Sequence, residues 1–303
     1  MTSIDSKSAV KILLTGVTGQ VGRELKRALA PLGNLVALNR KDMDLSNPGQ
    51  IREVIRQVKP NLIINAAAYT AVDKAEEEIE LAKAINQTAP GIIAEEAEKI
   101  GAPLIHYSTD YVFDGQNGGS PYTEEDQPHP MSVYGKTKLE GERAIRKTGA
   151  PHLIFRTSWV YGTQGKNFLL TIQRLAREKD VLRIVDDQFG APTWCASIAE
   201  SALGILQKLF VGENEVDISQ FEKISGVYHL SCQGKTSWYG FARAILEKTL
   251  TINVPKVVPI PAIYYPAPAP RPENSLLSNA KVNKVFGIVM PHWEEALSLC
   301  LAK

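Results

Sequence analysis

Lys11-Ile-Leu-Leu-Thr-Gly-Val-Thr-Gly-Gln-Val-Gly22 is the stretch that decides the fold. An apolar run suited to a strand leads into Gly16, Gly19 and Gly22, three glycines at three-residue intervals, and then into a helix-compatible segment at 20–30. Glycine permits the tight turn and lets a pyrophosphate approach main-chain amides, and a helix N-terminus favours that negative charge. A glycine triplet alone also fits a plain strand-to-helix turn. Its place on the first strand of an alternating chain selects the dinucleotide reading.

That alternation continues outward from the turn. Apolar runs at 34–39, 61–68, 103–110 and 152–161 read as strands, and segments at 48–58, 73–100 and 133–147 read as helices. The strand runs lack polar alternation, as expected where helices cover both sheet faces. Pro90 should break the long stretch in two, because proline lacks the amide donor. The fold expected is α/β, a Rossmann-type doubly wound parallel sheet with a smaller C-terminal α/β substrate-binding domain. Its parts would be an N-terminal extension over 1–10 without fixed structure, a cofactor domain over 11–165 and a substrate domain over 166–303. Some of the later segments would return to the first domain. The connection 115–130 is long enough to be a lid or disordered. Residues 255–272 hold Pro255, Pro259, Pro261, Pro266, Pro268, Pro270 and Pro272 and should run extended along a surface.

Composition narrows the function classes. With 34 Lys and Arg against 33 Asp and Glu, the net charge of +1 gives no reason to expect a nucleic acid partner. The first nine residues lack the apolar stretch of a signal peptide, and no window is apolar enough to suggest a membrane span. Cys195, Cys232 and Cys300 are odd in number and lack metal-ligand spacing, which suggests a reduced, cytoplasmic protein without a metal.

Two places carry the chemistry. The end of the second strand reads Asn39-Arg40-Lys41, where an NAD-binding chain would carry an acid for the ribose hydroxyls. A neutral amide followed by two cations suits the 2′-phosphate of NADP(H); an ordinary solvated loop pair is the alternative. Asp44 is a candidate beside adenine or, alternatively, a cap for the helix at Pro48. Further on, Tyr134 and Lys138 are four residues apart and share a helix face. An ammonium beside a tyrosine favours the phenolate and eases proton exchange near neutral pH. Thr109, at the carboxyl end of a strand, could donate to a substrate carbonyl while Tyr134 delivers a proton. Together they suggest a ketone reductase.

Gly16, Gly19 and Gly22, the Asn65-Ala-Ala-Ala run, Thr109, and Tyr134 with Lys138 make the chain resemble the extended short-chain dehydrogenase/reductase superfamily. Nine longer segments narrow this to the dTDP-4-dehydrorhamnose reductase family. They begin at Thr18, Asp44, Asn65, His106, Val133, Phe155, Asp187, Val227 and Arg271, in chain order across most of the sequence. The resemblance implies that Gly19, Gln20 and Val21 contact the pyrophosphate and that Asp44 and Leu45 lie near adenine. It puts Ala66, Ala67 and Ala68 under the cofactor, with Tyr107 at its border. Tyr134 is then the acid, Lys138 its electrostatic partner and ribose ligand, and Thr109 the carbonyl donor. Thr109, Asp110 and Trp159 meet the sugar, and Arg271 and Asn274 the nucleotide; Trp159 as a core aromatic and Arg271 paired with a surface carboxylate are the alternatives. Asn86 is either a proton-relay residue or a helix cap.

The implied reaction is reduction of the C4 ketone of dTDP-4-dehydro-β-L-rhamnose by NADPH, with use of NADH left open. A reductase of another nucleotide-linked 4-keto-6-deoxy sugar and a non-catalytic NADP-binding regulatory subunit are the alternatives. Some members are magnesium-bridged dimers that use glutamates. This chain keeps Glu24 but reads Trp194-Cys195-Ala196 where the second carboxylate would fall, which speaks against magnesium and leaves monomer or homodimer open.

Overall fold

The computed structural model describes residues 10–212 and 215–303. Six parallel strands form the central sheet: β1 (Lys11–Thr15), β2 (Asn34–Leu38), β3 (Leu62–Asn65), β4 (Leu104–Thr109), β5 (His152–Thr157) and β6 (Gly226–His229). Their spatial order is β6-β5-β4-β3-β1-β2. The chain therefore steps outward from β1 to β2 and then crosses back to β3 on the other side of β1. Ligands of open α/β sheets bind at such a reversal, outside the carboxyl ends of the strands.

Adjacent residues in each strand feed opposite cores, which explains the missing polar alternation. Ile12, Leu14, Leu62, Ile64, Ile105, Leu153 and Phe155 face one core, where α1 (Gln20–Leu29) contributes Leu25 and Leu29. Leu13, Ile63, Leu104 and Ile154 face the other, closed by α2 (Pro48–Val58) and α3 (Ala89–Ile100) through Ile51, Ile55, Ile93 and Ala97. The helix α4 (Val133–Arg146) flanks α3 and sends Ile145 into the same core.

Segments from beyond residue 165 also pack on this sheet. Strand β6 pairs with β5, and the helix Cys195–Lys208 covers the first core with Ile198, Ala202 and Ile205. The remaining C-terminal elements form small two-stranded sheets, such as Val181–Val185 beside Lys256–Ile260, the latter running through part of the proline-rich segment.

Several sequence expectations need correction. Val10 is only 2% exposed and its carbonyl accepts from Asn34 N, so the packed fold begins inside the expected 1–10 extension. Residues 1–9 of that extension lie outside the described residues. Pro90 does not divide the long helical stretch. It sits in the first turn of α3, directly after a π-helical turn over Ala84–Thr88, where the wider winding dispenses with its missing amide. The break comes earlier, between Val72–Ala75 and Ile79–Lys83. Nor is 115–130 a disordered segment. Tyr122 N donates to Leu276 O, Ser278 N donates to Tyr122 O, and the Tyr122 ring stacks on Phe113 at 4.1 Å.

The glycine turn is sterically locked. Gly16 has φ +73°, and a Cβ there would lie 2.6 Å from the Ala66 backbone; a Cβ on Gly22 would lie 2.1 Å from Gly16 O. Helix α1 thus approaches the β1 turn more closely than any side chain allows. Gly22→Ala is expected to destabilise the protein by about 2 kcal/mol or more, the scale of overpacking, read as a lower midpoint in urea unfolding; an unchanged midpoint would refute the close approach.

Candidate active site

The carboxyl ends of β1, β3 and β4 deliver the residues of the site to one edge of the sheet. After β1, Gly19 caps α1 without any side-chain acceptor, so no side chain caps that helix's first turn. After β3, Ala66 and Ala67 pass beside Gly16, with Ala68 next in the chain, and Ala67 N donates to Asn65 Oδ1. An open cleft of about 710 Å³ lies beyond the turn, lined by Thr18, Asn39, Arg40, Lys41, Asp44 and Gln50. An uncapped helix start with two cations beyond it fits the phosphates of a dinucleotide.

Within that cleft Asp44 is already engaged. Its Oδ1 accepts from Ser46 N and Oγ, bonds that with Arg40 3.5 Å away hold its carboxyl below the usual range. The helix cap is Asn47, which accepts from Gln50 N, so the capping alternative for Asp44 does not apply. Leu45 is buried in the second core beside Met43 and Ile51.

Helix α4 begins where it does because Ser132 caps it, accepting from Gly135 N at 3.1 Å. A Cβ on Gly135 would lie 2.2 Å from Tyr111 O, and this contact presses the helix start onto the turn that follows β4. Tyr134 consequently stands edge-on to Tyr111 at 5.5 Å and beside Thr109. Burial pushes the Tyr134 phenol up to about 12, while the Thr109 hydroxyl works in the opposite direction. Thr109 Oγ1 also donates to Asp110 Oδ1 at 3.0 Å.

Lys138 is 1% exposed, and its Nζ donates to Tyr107 O at 2.6 Å and lies 3.1 Å from His106 Nε2. Desolvation brings its ammonium down to about 8, against the pull of Glu142. The lysine therefore sits on the expected helix face, but its hydrogen bonds go to β4 and not to the phenol. Tyr107 packs its ring on Phe155 and leaves a buried, unpartnered hydroxyl.

Trp159 has φ +47°, uncommon for a large side chain, and its ring stacks on Trp238 at 3.5 Å. Gly190 makes room for it: a Cβ there would be 2.5 Å from Trp159 Cε2. Arg271 is held by both oxygens of Asp73, at 3.1 and 2.9 Å, and Asn274 spends its amide on Asn117 Oδ1 and Ser120 O. In the described structure these two residues thus tie down chain segments. Asn86 caps no helix; it is buried in the π turn and bonds Tyr69 N and O. Among the described residues no group of three or more His, Cys, Asp or Glu could hold a metal, and Glu24 pairs with Arg27. Sequence reasoning missed Trp238, His106 and the buried pair of Glu142 with Arg156, because each partner is distant in the chain.

The sequence profile of the RmlD substrate binding domain matches residues 10–303. A dTDP-4-dehydrorhamnose reductase of Burkholderia thailandensis is 46% identical over 298 residues, covering 96% of this chain and 98% of the relative. The chain belongs to the dTDP-4-dehydrorhamnose reductase family. A crystal structure of such a reductase from Clostridium acetobutylicum superimposes with a TM-score of 0.88 at 38% identity, covering 97% of this chain and 99% of that one. Another, from Bacillus anthracis in complex with NADP, gives 0.86 at 33% identity with the same coverage. Both align with this family member from end to end.

Asp110 is a buried carboxyl that costs the fold stability at neutral pH. It is 3% exposed, its Oδ2 has no close hydrogen bond among the described residues, and burial raises its carboxyl to about 6 against the opposite pull of the Ser275 and Thr109 hydroxyls. The folded protein thus binds this proton more tightly than the unfolded chain, so stability from it is full below pH 3.8 and lost through pH 6. The shift corresponds to about 3 kcal/mol at neutral pH. Asp110→Asn should raise the melting temperature at pH 7.5, with the gain shrinking toward zero as pH falls to 4; an equal gain at both would contradict a buried charge.

Proposed function

We propose that the chain reduces the C4 ketone of dTDP-4-dehydro-β-L-rhamnose with NADPH, giving dTDP-β-L-rhamnose. The observation that carries this reading is the meeting of Thr109, Tyr134 and Lys138 at the switch-point edge of the sheet, in a chain 46% identical to a named reductase of that kind. NADPH supplies the hydride for the sugar C4. Thr109 holds the ketone oxygen by a hydrogen bond, and Tyr134 delivers the proton that the resulting alkoxide needs. Lys138, one turn along α4, holds the ribose hydroxyls and as an ammonium favours the tyrosinate left behind.

The rest of the assignment follows the same order. Gly16, Gly19, Gln20, Val21 and Gly22 bind the pyrophosphate at the start of α1, Asn39, Arg40 and Lys41 the 2′-phosphate, and Asp44 and Leu45 the adenine side. Ala66, Ala67, Ala68 and Tyr107 border the nicotinamide half. Asp110 and Trp159 meet the sugar, while Arg271 and Asn274 bind the nucleotide through the segments they anchor. Residues 11–165 supply the cofactor and catalytic groups and 166–303 mainly the sugar-nucleotide pocket. No described helix is long and apolar enough to cross a membrane, and the three cysteines are free and buried. A cytoplasmic monomer or homodimer that needs no magnesium completes the proposal.

An assay that follows NADPH oxidation tests it: turnover with this keto sugar is expected, and turnover only with an isomeric keto sugar would reject the substrate. Tyr134→Phe should lower kcat at least ~10²-fold, the scale of general acid catalysis; an unchanged kcat would remove Tyr134 from the reaction. Arg40→Ala with Lys41→Ala should raise KM for NADPH at least ~10-fold, losing roughly 1.4 kcal/mol of phosphate pairing, and leave KM for NADH nearly unchanged. Equal effects on both cofactors would place the 2′-phosphate elsewhere.

A further inference from the structure

A row of buried polar side chains crosses the sheet beneath the site: Thr15 on β1, Asn65 on β3, His106 on β4 and Lys138 on α4, none more than 2% exposed. Its hydrogen bonds have only one consistent direction. Asn65 Oδ1 faces Thr15 Oγ1 at 2.7 Å and Ala67 N at 3.2 Å. A backbone amide can only donate, so the Asn65 atom facing Ala67 is the oxygen and the amide cannot be flipped. Its Nδ2 therefore points at His106 Nδ1, 3.1 Å away. An amide NH₂ can only donate as well, so Nδ1 is the acceptor. A neutral imidazole that accepts at Nδ1 carries its proton on Nε2.

That proton faces Lys138. His106 Nε2 lies 3.1 Å from Nζ, which also donates to Tyr107 O at 2.6 Å. A neutral amine satisfies both contacts, because it donates one N–H to the carbonyl and offers its lone pair to Nε2–H. An ammonium has no lone pair and would meet an N–H head on. We propose that His106, its tautomer set by Asn65, is a positioning residue that weakens the hold of Lys138 on its ammonium proton in the free protein. The inference rests on the reading of Lys138 given above and adds to it where the lysine's proton is controlled.

The surroundings agree with this direction. Glu142, one turn further along α4, pulls toward the ammonium. Its carboxylate is shared, however: Arg156 of β5 binds both oxygens at 3.0 and 2.7 Å, and Ser108 of β4 donates to one of them. Burial keeps His106 neutral, so it cannot answer by taking a second proton. Tyr134, one turn before Lys138, carries a phenol that burial raises to about 12. Lys138 can then regain its full charge only by leaving His106, and ribose hydroxyls, which accept as well as donate, are groups that could draw it away.

Long-range ¹H–¹⁵N correlation NMR on the full chain without cofactor reads the tautomer directly. His106 is expected as a neutral imidazole protonated at Nε2 between pH 6 and 8; protonation at Nδ1 would overturn the proposal. The same samples give the Lys138 ¹⁵Nζ titration. His106→Gln puts a carbonyl acceptor where Nε2 stood, so the Lys138 midpoint should rise by about one pH unit or more, a tenfold change in proton affinity. A midpoint that stays put would also overturn it. Should His106→Gln not fold, the wild-type tautomer still decides. Neither signal depends on keto-sugar turnover, so failure of this inference and failure of the reductase reading are distinguishable.

Discussion

A lysine nitrogen held away from water is the constraint around which the site is arranged. Lys138 is 1% exposed, and a cation so placed must find donors and acceptors in the protein or lose its charge. From β4 the carbonyl of Tyr107 accepts from it while the ring of His106 faces it with an N–H, and Glu142 supplies a counter-charge from the lysine's own helix. Because those partners sit on the central sheet, α4 is registered against β4, and Tyr134 one turn earlier is registered with it. The phenol's distance from Thr109 is thus set by a buried polar anchor and by the Gly135 contact with Tyr111.

The cofactor side depends on a different kind of closeness. At Gly16 and Gly22 the limit is volume, since the space a methyl group would need is filled by backbone. This brings the start of α1 up to the crevice between β1 and β3, where the strand order reverses. One edge of the sheet therefore presents an uncapped helix start, and about one strand further along presents a tyrosine and a threonine. An uncapped helix start and a tyrosine–threonine pair lie side by side because both ride on the same parallel strands, which is the arrangement the proposed hydride and proton transfer needs. The indoles of Trp159 and Trp238 add an aromatic stack whose first member has a left-handed backbone.

Features encoded within a few residues were legible in the sequence. The glycine turn, the spacing of Tyr134 and Lys138, and the Arg40-Lys41 pair each need only local geometry, and the strand runs declared themselves by their unbroken apolar character. Features that join distant segments were not. His106 meets Asn65 across 41 positions, and Trp238 meets Trp159 through a fold that no local pattern announces. Pro90 read as a break because proline ends ordinary α-helix; the π turn before it has no sequence signature of comparable strength. For Arg271 a carboxylate partner is one of two readings and for Asn274 a nucleotide contact the only one, and only the folded chain reveals Asp73, Asn117 and Ser120 as their partners.

The position at which hydrogen from the cofactor arrives is what distinguishes this reaction from its rivals. NMR of the product formed from dTDP-4-dehydro-β-L-rhamnose and NADPH deuterated at nicotinamide C4 reads this position directly. Deuterium is expected at sugar C4 in the L-rhamno configuration. Deuterium at another carbon, or at C4 in the opposite configuration, would contradict it.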